Sequence, residues 1–338
     1  VHFEHRGNAA IFDFGRCPGY RFASLLFQTT IDWILMSDQL DCLVIGGGPA
    51  GLTAAIYLAR FHLSVAVIDE GSSRALQIAC TRNHAGFPAG ISGRDLLGRM
   101  RMQAIKYGAC IIDGRVRQLD RHGAGFFAQG QDIALDARAV LIATGVTNRR
   151  PPIDEALHAE ALQSGRLRYC PVCDGYEVTG QHVAVIGSDA RAAKECEFLR
   201  SFTDRISLIL DGRDGLAEPV AKRLASIGVR VIGGPAEQFA LEANGLSLST
   251  AAGRLCFEAV YPALGSVIHS ELATALGAAV TEEGCIKVDS HQRTSVAGLY
   301  AAGDVVIGLD QISHAMGEAG VAATTIRNDL ASSCPRFR

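Results

Sequence analysis

The chain has 338 residues, enough for about two domains at the usual ~100–200 residues each, and is 48% hydrophobic and 20% charged. That composition supplies a sizeable core and excludes a disordered chain, while a net charge of −3 without a Lys/Arg block excludes tracking of a nucleic-acid backbone. No apolar run approaches the ~20 residues of a membrane span; the best candidate, residues 22–36, is broken by Asp32.

Residues 1–36 place Arg6, Arg16 and Arg21 ahead of that apolar stretch but offer no small-x-small cleavage site, which argues against a secretory signal. They read as an N-terminal extension, either a helix docked ahead of the first domain or sequence upstream of a start at Met36. The first strong element follows at Asp41. Residues 42–45 form an apolar strand, a glycine turn leads into an Ala-rich helix over about 50–60, and a second strand at 64–68 ends in Asp69 and Glu70. This is a βαβ unit with G-x-G-x-x-G at Gly46, Gly48 and Gly51 and an acid about 20 residues on. Gly46 permits the tight turn, Gly48 lets backbone approach a pyrophosphate, and Gly51 lets helix and strand pack closely. Pro49 and Ala50 open the helix, whose N–H groups and positive dipole end suit phosphate. Asp69 or Glu70 would take the ribose hydroxyls.

"AVLIATG" (139–145) is a further apolar strand, closing in Ala143, Thr144 and Gly145, and "NRRPPID" (148–154) is a linker. The stretch "CPVCDG" then sets Cys170 and Cys173 three apart, with Asp174 behind them. A C-x-x-C turn brings its ends to the ~5.5–6 Å Cα separation a disulfide needs. An adjacent carboxyl that trades protons helps thiolate attack and release. The other cysteines are scattered without motif spacing, which points to a reducing compartment, the cytoplasm by default, with one special pair. A zinc site would need another ligand pair at knuckle spacing, and none is visible, so no metal is expected. A second βαβ pattern starts at His182, with "RAAKECEFLRSF" as its helix and "RISLILD" as its second strand. A linker signal recurs near 262–270. The C-terminal part runs a strand into Gly303-Asp304 and then a helix.

The ordered set "GGGPAGLTAAIYLAR", "NHAGFP", "ATG", "CPVCDG" and "GLYAAGDV…QISHAMGEAGVAA" resembles the low-molecular-weight thioredoxin reductases from Ser37 to the C-terminus. The resemblance implies an α/β fold of two Rossmann-like nucleotide-binding domains of three-layer ββα type, the second inserted into the first. An FAD-binding domain would be split between 37–152 and 266–338, and a redox domain would occupy 153–265. It implies a homodimer with non-covalent FAD. Gly46, Gly48, Pro49, Ala50, Gly51 and the acid at 69 or 70 would hold the ADP half. Asn83 would lie beside the isoalloxazine, Asp304 after Gly303 would bind the ribityl chain, and Gln311 with Ile312 would meet the pyrimidine edge. Ala143, Thr144 and Gly145 join the cofactor-binding set. Cys173 resembles the thiol facing the flavin, Cys170 the interchange thiol, and Asp174 the acid managing its proton. A thioredoxin-like protein or a small disulfide would be the partner.

The second nucleotide loop departs from that pattern. In "VIGSDARAAKE" Gly187 survives, but Asp189 occupies the second glycine position, adding a side chain and a negative charge where phosphates should sit. Arg191 and Lys194 offset part of it. Where relatives carry a basic cluster for a 2′-phosphate, this chain has Asp211, Gly212, Arg213 and, at the last position, Ala217. One arginine is left where a phosphate clamp needs several convergent donors. The expectation is therefore a disulfide oxidoreductase that does not use NADPH in the ordinary way, with a ferredoxin-type donor or a second flavin as candidate sources of electrons. Asp211 on a ribose 2′-OH would instead imply NADH. Tyr-Glu after the motif glycine resembles the relatives that dispense with pyridine nucleotides. The rival readings are a small-molecule dithiol oxidase using oxygen, opposed by retention of Asp174; an ordinary NAD(P)H-dependent reductase; and a flavoprotein redox sensor. His314, near the flavin-approaching segment, reads more readily as a packed or surface histidine than as a proton shuttle.

Overall fold

The computed structural model describes residues 39–212 and 215–333, so the expectations for residues 1–36 and for Arg213 lie outside the described residues. The predicted first βαβ unit is β1 (Leu40–Ile45), α1 (Pro49–Arg60) and β2 (Val65–Asp69). β1 is buried along its whole length, as befits a central parallel strand covered on both faces. Next come α2 (Gly93–Lys106), β3 (Cys110–Asp113) and an antiparallel meander of β4 (Val116–His122), β5 (Gly125–Gly130) and β6 (Ile133–Ile142). The strand order is β3-β2-β1-β6-β5-β4, parallel from β3 to β6. β6 does two jobs. Its first half alternates buried and more exposed residues and pairs with β5; its second half is continuously buried and pairs with β1.

From β6 the chain leaves through β7 (Val146–Asn148) and builds a second unit. This comprises α3 (Glu155–Gln163), α4 (Pro171–Asp174), β8 (Val183–Ile186), α5 (Ala190–Leu199), β9 (Ile206–Ile209), α6 (Glu218–Ser226) and β10 (Arg230–Ile232). It continues with β11 (Glu237–Glu242), β12 (Gly245–Thr250), β13 (Gly253–Phe257) and β14 (Ala259–Pro262). One parallel sheet runs β10-β9-β8-β14, and β11-β12-β13 form a separate antiparallel sheet. The chain returns through β15 (Ser266–Ile268), which pairs antiparallel with β7, so exit and entry are tied together in a two-stranded ribbon. α7 (Glu271–Ala275) leads on, β16 (Leu299–Ala301) adds to β6 in parallel, and α8 (Ile312–Ser333) closes the fold. The architecture is α/β, with two Rossmann-like parallel sheets and the second unit inserted in the chain course of the first, as expected from the sequence.

The long apolar contact of the first unit is made of small side chains. Ala54 and Ala55 of α1 share a buried core with Ala319, Ala322 and Ala323 of α8, which lets the two helices approach closely. At the head of α1 the fit is tighter. Gly46 sits at φ +111°, a conformation L side chains rarely adopt, and a Cβ there would strike the Ala143 carbonyl. A Cβ on Gly51 would strike the Gly46 carbonyl oxygen, so the turn and the helix interlock only as glycines. Gly51→Ala is expected to destabilise the chain by about 1–3 kcal/mol through overpacking. Chemical-denaturation midpoints of the two proteins measure it.

Candidate active site

A single cleft of about 950 Å³ runs along the C-terminal ends of β1, β2 and β6 and reaches α4. Its size lies at the top of the ~300–1,000 Å³ range of small-molecule sites and suits an elongated ligand. Every flavin-site and dithiol-site residue expected from the sequence lines it except Gly51, which lies buried behind the turn in its packing role.

The glycine turn forms one end. Gly48 caps α1 without any side-chain hydrogen bond, and no acid stands in the first turn, so the N–H groups of the helix face the cleft uncovered. A Cβ added at Gly48 would meet only the Ser73 hydroxyl, at 3.2 Å, which leaves the backbone open to close approach. Asp69 packs over Gly47, accepts the Gly71 N–H at 3.1 Å and lies 3.6 Å from Arg101. Glu70 turns outward to the Ser72 hydroxyl (2.7 Å) and Arg115 (3.5 Å). Both acids line the cleft, along with Arg74 and Arg115. An uncapped helix N-terminus, an open glycine cradle and cations as donors, with acids as acceptors, form the set that the ADP half of FAD requires. The residues fit that group.

Further along, Asp304 follows Gly303, and its carboxylate is clamped by Arg74 at 2.6 Å, with Asp310 3.2 Å from the same guanidinium. Burial pushes the Asp304 carboxyl above its ordinary range, and Arg74 opposes that shift. Behind it, the buried Glu318 accepts the Gly303 N–H at 2.8 Å and faces the His314 imidazole at 3.0 Å. His314 is thus partly exposed and paired with a carboxylate, and Gly308 packs directly on its ring.

At the other end, Cys170 and Cys173 are joined in a disulfide with Cα atoms 5.2 Å apart. Cys170 is the residue before α4, and its Sγ accepts the Cys173 N–H at 3.1 Å. Asp174 has one oxygen bonded to Arg168 (2.8 Å) and the other to the Tyr261 hydroxyl (2.9 Å). Burial raises its pKa above the usual carboxylate value, while Arg168 and Tyr261 pull it back. The Gln311 amide Nε2 stands 3.2 Å from Cys170 Sγ and 3.1 Å from Cys173 Sγ. Its Oε1 accepts from Asn83 at 2.8 Å, and Asn83 accepts from the Thr81 hydroxyl at 2.9 Å. Asn83 and Gln311 therefore meet each other, and the Gln311 side chain is turned to the sulfurs. Among the other described cysteines, Cys42 and Cys196 are buried with thiols pushed up by desolvation, Cys196 to about 12, which leaves them unreactive. Among the described residues no cluster of three or more His, Cys, Asp or Glu could hold a metal ion, and no helix is long and apolar enough to cross a membrane.

The second nucleotide loop is built differently. Asp189 precedes α5 and its carboxylate accepts the Ala192 N–H at 3.0 Å, so the residue that replaces the loop glycine caps the helix itself. Ser188 bridges to the next strand end, accepting the N–H groups of Asp211 (3.0 Å) and Gly212 (3.3 Å). None of Gly187, Ser188, Asp189 or Asp211 lines the main cleft. Arg191 lies against Gly265 and flanks Glu195 in a smaller cavity of about 410 Å³. Lys194 is exposed. Arg74, Arg168, Tyr261 and Glu318 are the site residues that sequence reasoning missed. Arg74 and Tyr261 act on partners 230 and 87 residues away, and Arg168 and Glu318 on nearer ones, but nothing in the local pattern of any of them marks it.

A disulfide opening onto a dinucleotide-sized cleft, with an acid held behind it, defines an enzyme of the flavin-dependent disulfide oxidoreductase class. Comparison with known proteins is specific on this point. The family model for pyridine nucleotide-disulphide oxidoreductases matches residues 40–319. The thioredoxin reductase of Treponema pallidum (strain Nichols) is 30% identical over 283 residues, covering 80% of this chain and 90% of that protein. That of Streptomyces clavuligerus is 31% identical over 292 residues, covering 80% and 87%. The crystal structure of thioredoxin reductase from Streptococcus pyogenes MGAS5005 superposes with a TM-score of 0.80 at 28% identity, covering 87% of this chain and 99% of that one. The chain belongs to the pyridine nucleotide-disulphide oxidoreductase family, and within it is thioredoxin-reductase-like.

A carboxyl half-buried on α5, close to the capped loop, is perturbed by its surroundings. Glu195 is raised from 4.5 to about 7, first by burial and then by the neighbouring Asp189, with Arg191 opposing. A carboxyl with a raised folded pKa costs stability in its charged form. That cost is absent below about pH 4.5 and grows as pH rises toward about 7. Glu195→Gln is therefore expected to stabilise the chain by on the order of 1–3 kcal/mol above pH 7 and to be neutral near pH 4. Urea unfolding at the two pH values is the check.

Proposed function

We propose that this chain binds FAD in the main cleft and exchanges two electrons between it and Cys170–Cys173, which in turn reduces an external disulfide. The observation that carries the reading is that the Cys170–Cys173 disulfide opens onto the same cleft as the uncapped N-terminus of α1. In this reading the FAD-binding domain is residues 37–152 and 266–338, the redox domain is 153–265, and the β7–β15 ribbon supports a boundary there. Gly46, Gly48 and the α1 N–H groups hold the pyrophosphate, Asp69 or Glu70 the ribose, and Asp304 the ribityl chain, with Ala143–Gly145 and Ile312 as cleft walls. Bound there, the flavin supplies and accepts the electron pair.

The chain's own residues then handle sulfur and proton. Reduction breaks the S–S bond with two electrons and leaves a thiol–thiolate pair. The Cys170 thiolate attacks an external disulfide, forms a mixed disulfide and expels one partner sulfur; Cys173 attacks Cys170 and releases the other. Asp174, with a carboxyl raised by burial, accepts and returns the proton that this sequence moves. Arg168 and Tyr261 hold it in place. The external partner is a thioredoxin-like protein or a small disulfide, thioredoxin being the substrate that names the relatives. The chain acts in the cytoplasm, as its scattered cysteines suggest, and as a homodimer, a reading that rests on the family resemblance.

NADPH is not the ordinary donor in this proposal. The support is the Asp189 carboxylate standing on the α5 N-terminus, where a pyrophosphate would need free N–H groups, and Ser188 holding the Asp211–Gly212 strand end against the loop. A ferredoxin-type donor or a second flavin supplies the electrons instead.

Two tests follow from this reading. Anaerobic mixing of the purified holoprotein with NADPH, and separately NADH, is expected to leave the flavin absorbance band unbleached on the time scale of turnover. Rapid bleaching by either refutes the donor assignment. Cys170→Ser and Cys173→Ser are each expected to abolish disulfide reduction driven by a chemically reduced flavin while keeping the flavin bound, read as released thiol. Hydrogen peroxide production with small dithiols would instead place the chain in the oxidase direction.

A further inference from the structure

We propose that the Gln311 carboxamide, aimed by Asn83 and Thr81, is a catalytic hydrogen-bond donor that stabilises the thiolate released when the Cys170–Cys173 bond opens. The inference rests on the reading that this pair is redox-active. Three observations carry it. The Nε2 group lies within 3.2 Å of both sulfurs, so whichever sulfur carries the charge has a donor already in place. The orientation of the amide is set from behind, since Thr81 O–H donates to Asn83 Oδ1 and Asn83 Nδ2 donates to Gln311 Oε1. Turning the Gln311 amide over would put its carbonyl oxygen against two sulfur lone pairs and its NH₂ against that of Asn83. Finally, the backbone at this point is fixed. Gln311 N–H bonds Leu309 O at 2.6 Å, the Gln311 carbonyl starts α8 by accepting Ala315 N–H at 2.9 Å, and Ser313 is held to His84 at 3.0 Å.

The energetic logic is differential. A disulfide sulfur is a weak acceptor and a thiolate a strong one, so the same N–H gains in strength as the bond breaks. Three cations of the cleft are committed elsewhere. Arg168 is bonded to Asp174 (2.8 Å), Arg82 faces Glu177 (3.9 Å) and Arg74 holds Asp304 (2.6 Å). Neutral donors remain for the thiolate: Gln311 for both sulfurs and the Cys173 N–H for Cys170 alone, at 3.1 Å. In the reduction step two electrons enter the S–S bond from a reduced flavin or a small dithiol. One sulfur takes up a proton and the other stays anionic against Gln311.

The test uses the full chain reduced with excess dithiothreitol and desalted without oxygen. Iodoacetamide alkylation of Cys170 and Cys173 is followed by mass spectrometry between about pH 5 and pH 10, which brackets thiol titration. Gln311→Ala is expected to raise the lower thiol pKa of the pair by about one pH unit and to slow alkylation at neutral pH about ten-fold. Asn83→Asp is expected to do at least as much, because a carboxylate draws the Gln311 NH₂ toward itself and turns the carbonyl to the sulfurs. Asn83→Ala, which only loosens the amide, is expected to do less. A shift below about 0.3 pH unit in both Gln311→Ala and Asn83→Asp, in chains with wild-type circular dichroism, overturns the proposal. Asn83→Asp serves alone should Gln311→Ala fail to fold. A wild-type chain that shows the Gln311-dependent titration yet reduces no disulfide sinks the functional reading and leaves this one standing.

Discussion

The N-terminus of a helix leaves N–H groups that something must satisfy, and this chain answers that demand in two opposite ways. At α1 the preceding residue is Gly48, which offers no side chain, and the N–H groups look into the cleft. At α5 the preceding residue is Asp189, whose carboxylate takes the Ala192 N–H. The two βαβ units are alike in topology, and this single choice separates a helix that can receive an anion from one that has supplied its own. The placement of flavin, disulfide and electron source in the functional reading follows from which N-terminus is open.

The disulfide end obeys a related constraint. A buried carboxylate is costly unless both oxygens are bonded, and Asp174 meets that condition through Arg168 and Tyr261. The net result is a carboxyl still raised by burial but not orphaned, which is the state a proton carrier needs. Tyr261 is itself fully buried in β14, so the acid beside the cysteines is anchored to the core of the parallel sheet. Sulfur chemistry at the cleft is in this way tied to the buried parallel sheet of the inserted unit.

Local chemistry was legible in the sequence; long-range pairing was not. The 42–69 βαβ unit, its glycines and the C-x-x-C pair announce themselves because each is complete within about 30 residues. The late half of β6 was readable as a buried run, whereas Ile133–Arg138, with alternating exposure on a meander, did not stand out from its surroundings. The β11–β13 sheet escaped for the same reason: its strands are short and mixed in polarity. Arg74 could not be assigned at all, since its partner Asp304 is 230 residues away. The contact of Gln311 with the sulfurs is of this kind too. A glutamine ahead of an amphipathic helix has no signature of its own, and only the fold brings α8 beneath α4.

At Asp189 the start of α5 is satisfied by the chain itself. An acid before the helix is worth roughly a few tenths of a kcal/mol more than glycine as a cap, and it is less conformationally costly in the loop. Ser188 adds two bonds to the neighbouring strand end, so the loop closes on itself without any guest. Nearly two turns further on, burial and, to a lesser degree, the Asp189 charge lift the Glu195 carboxyl toward neutrality against Arg191. The inserted unit therefore keeps the parallel sheet and helix that position Cys170, Cys173 and Asp174 while its own nucleotide face is satisfied internally. The same sheet sets both partners of Asp174, since the Arg168 N–H bonds the Val260 carbonyl at 2.9 Å, one residue before Tyr261.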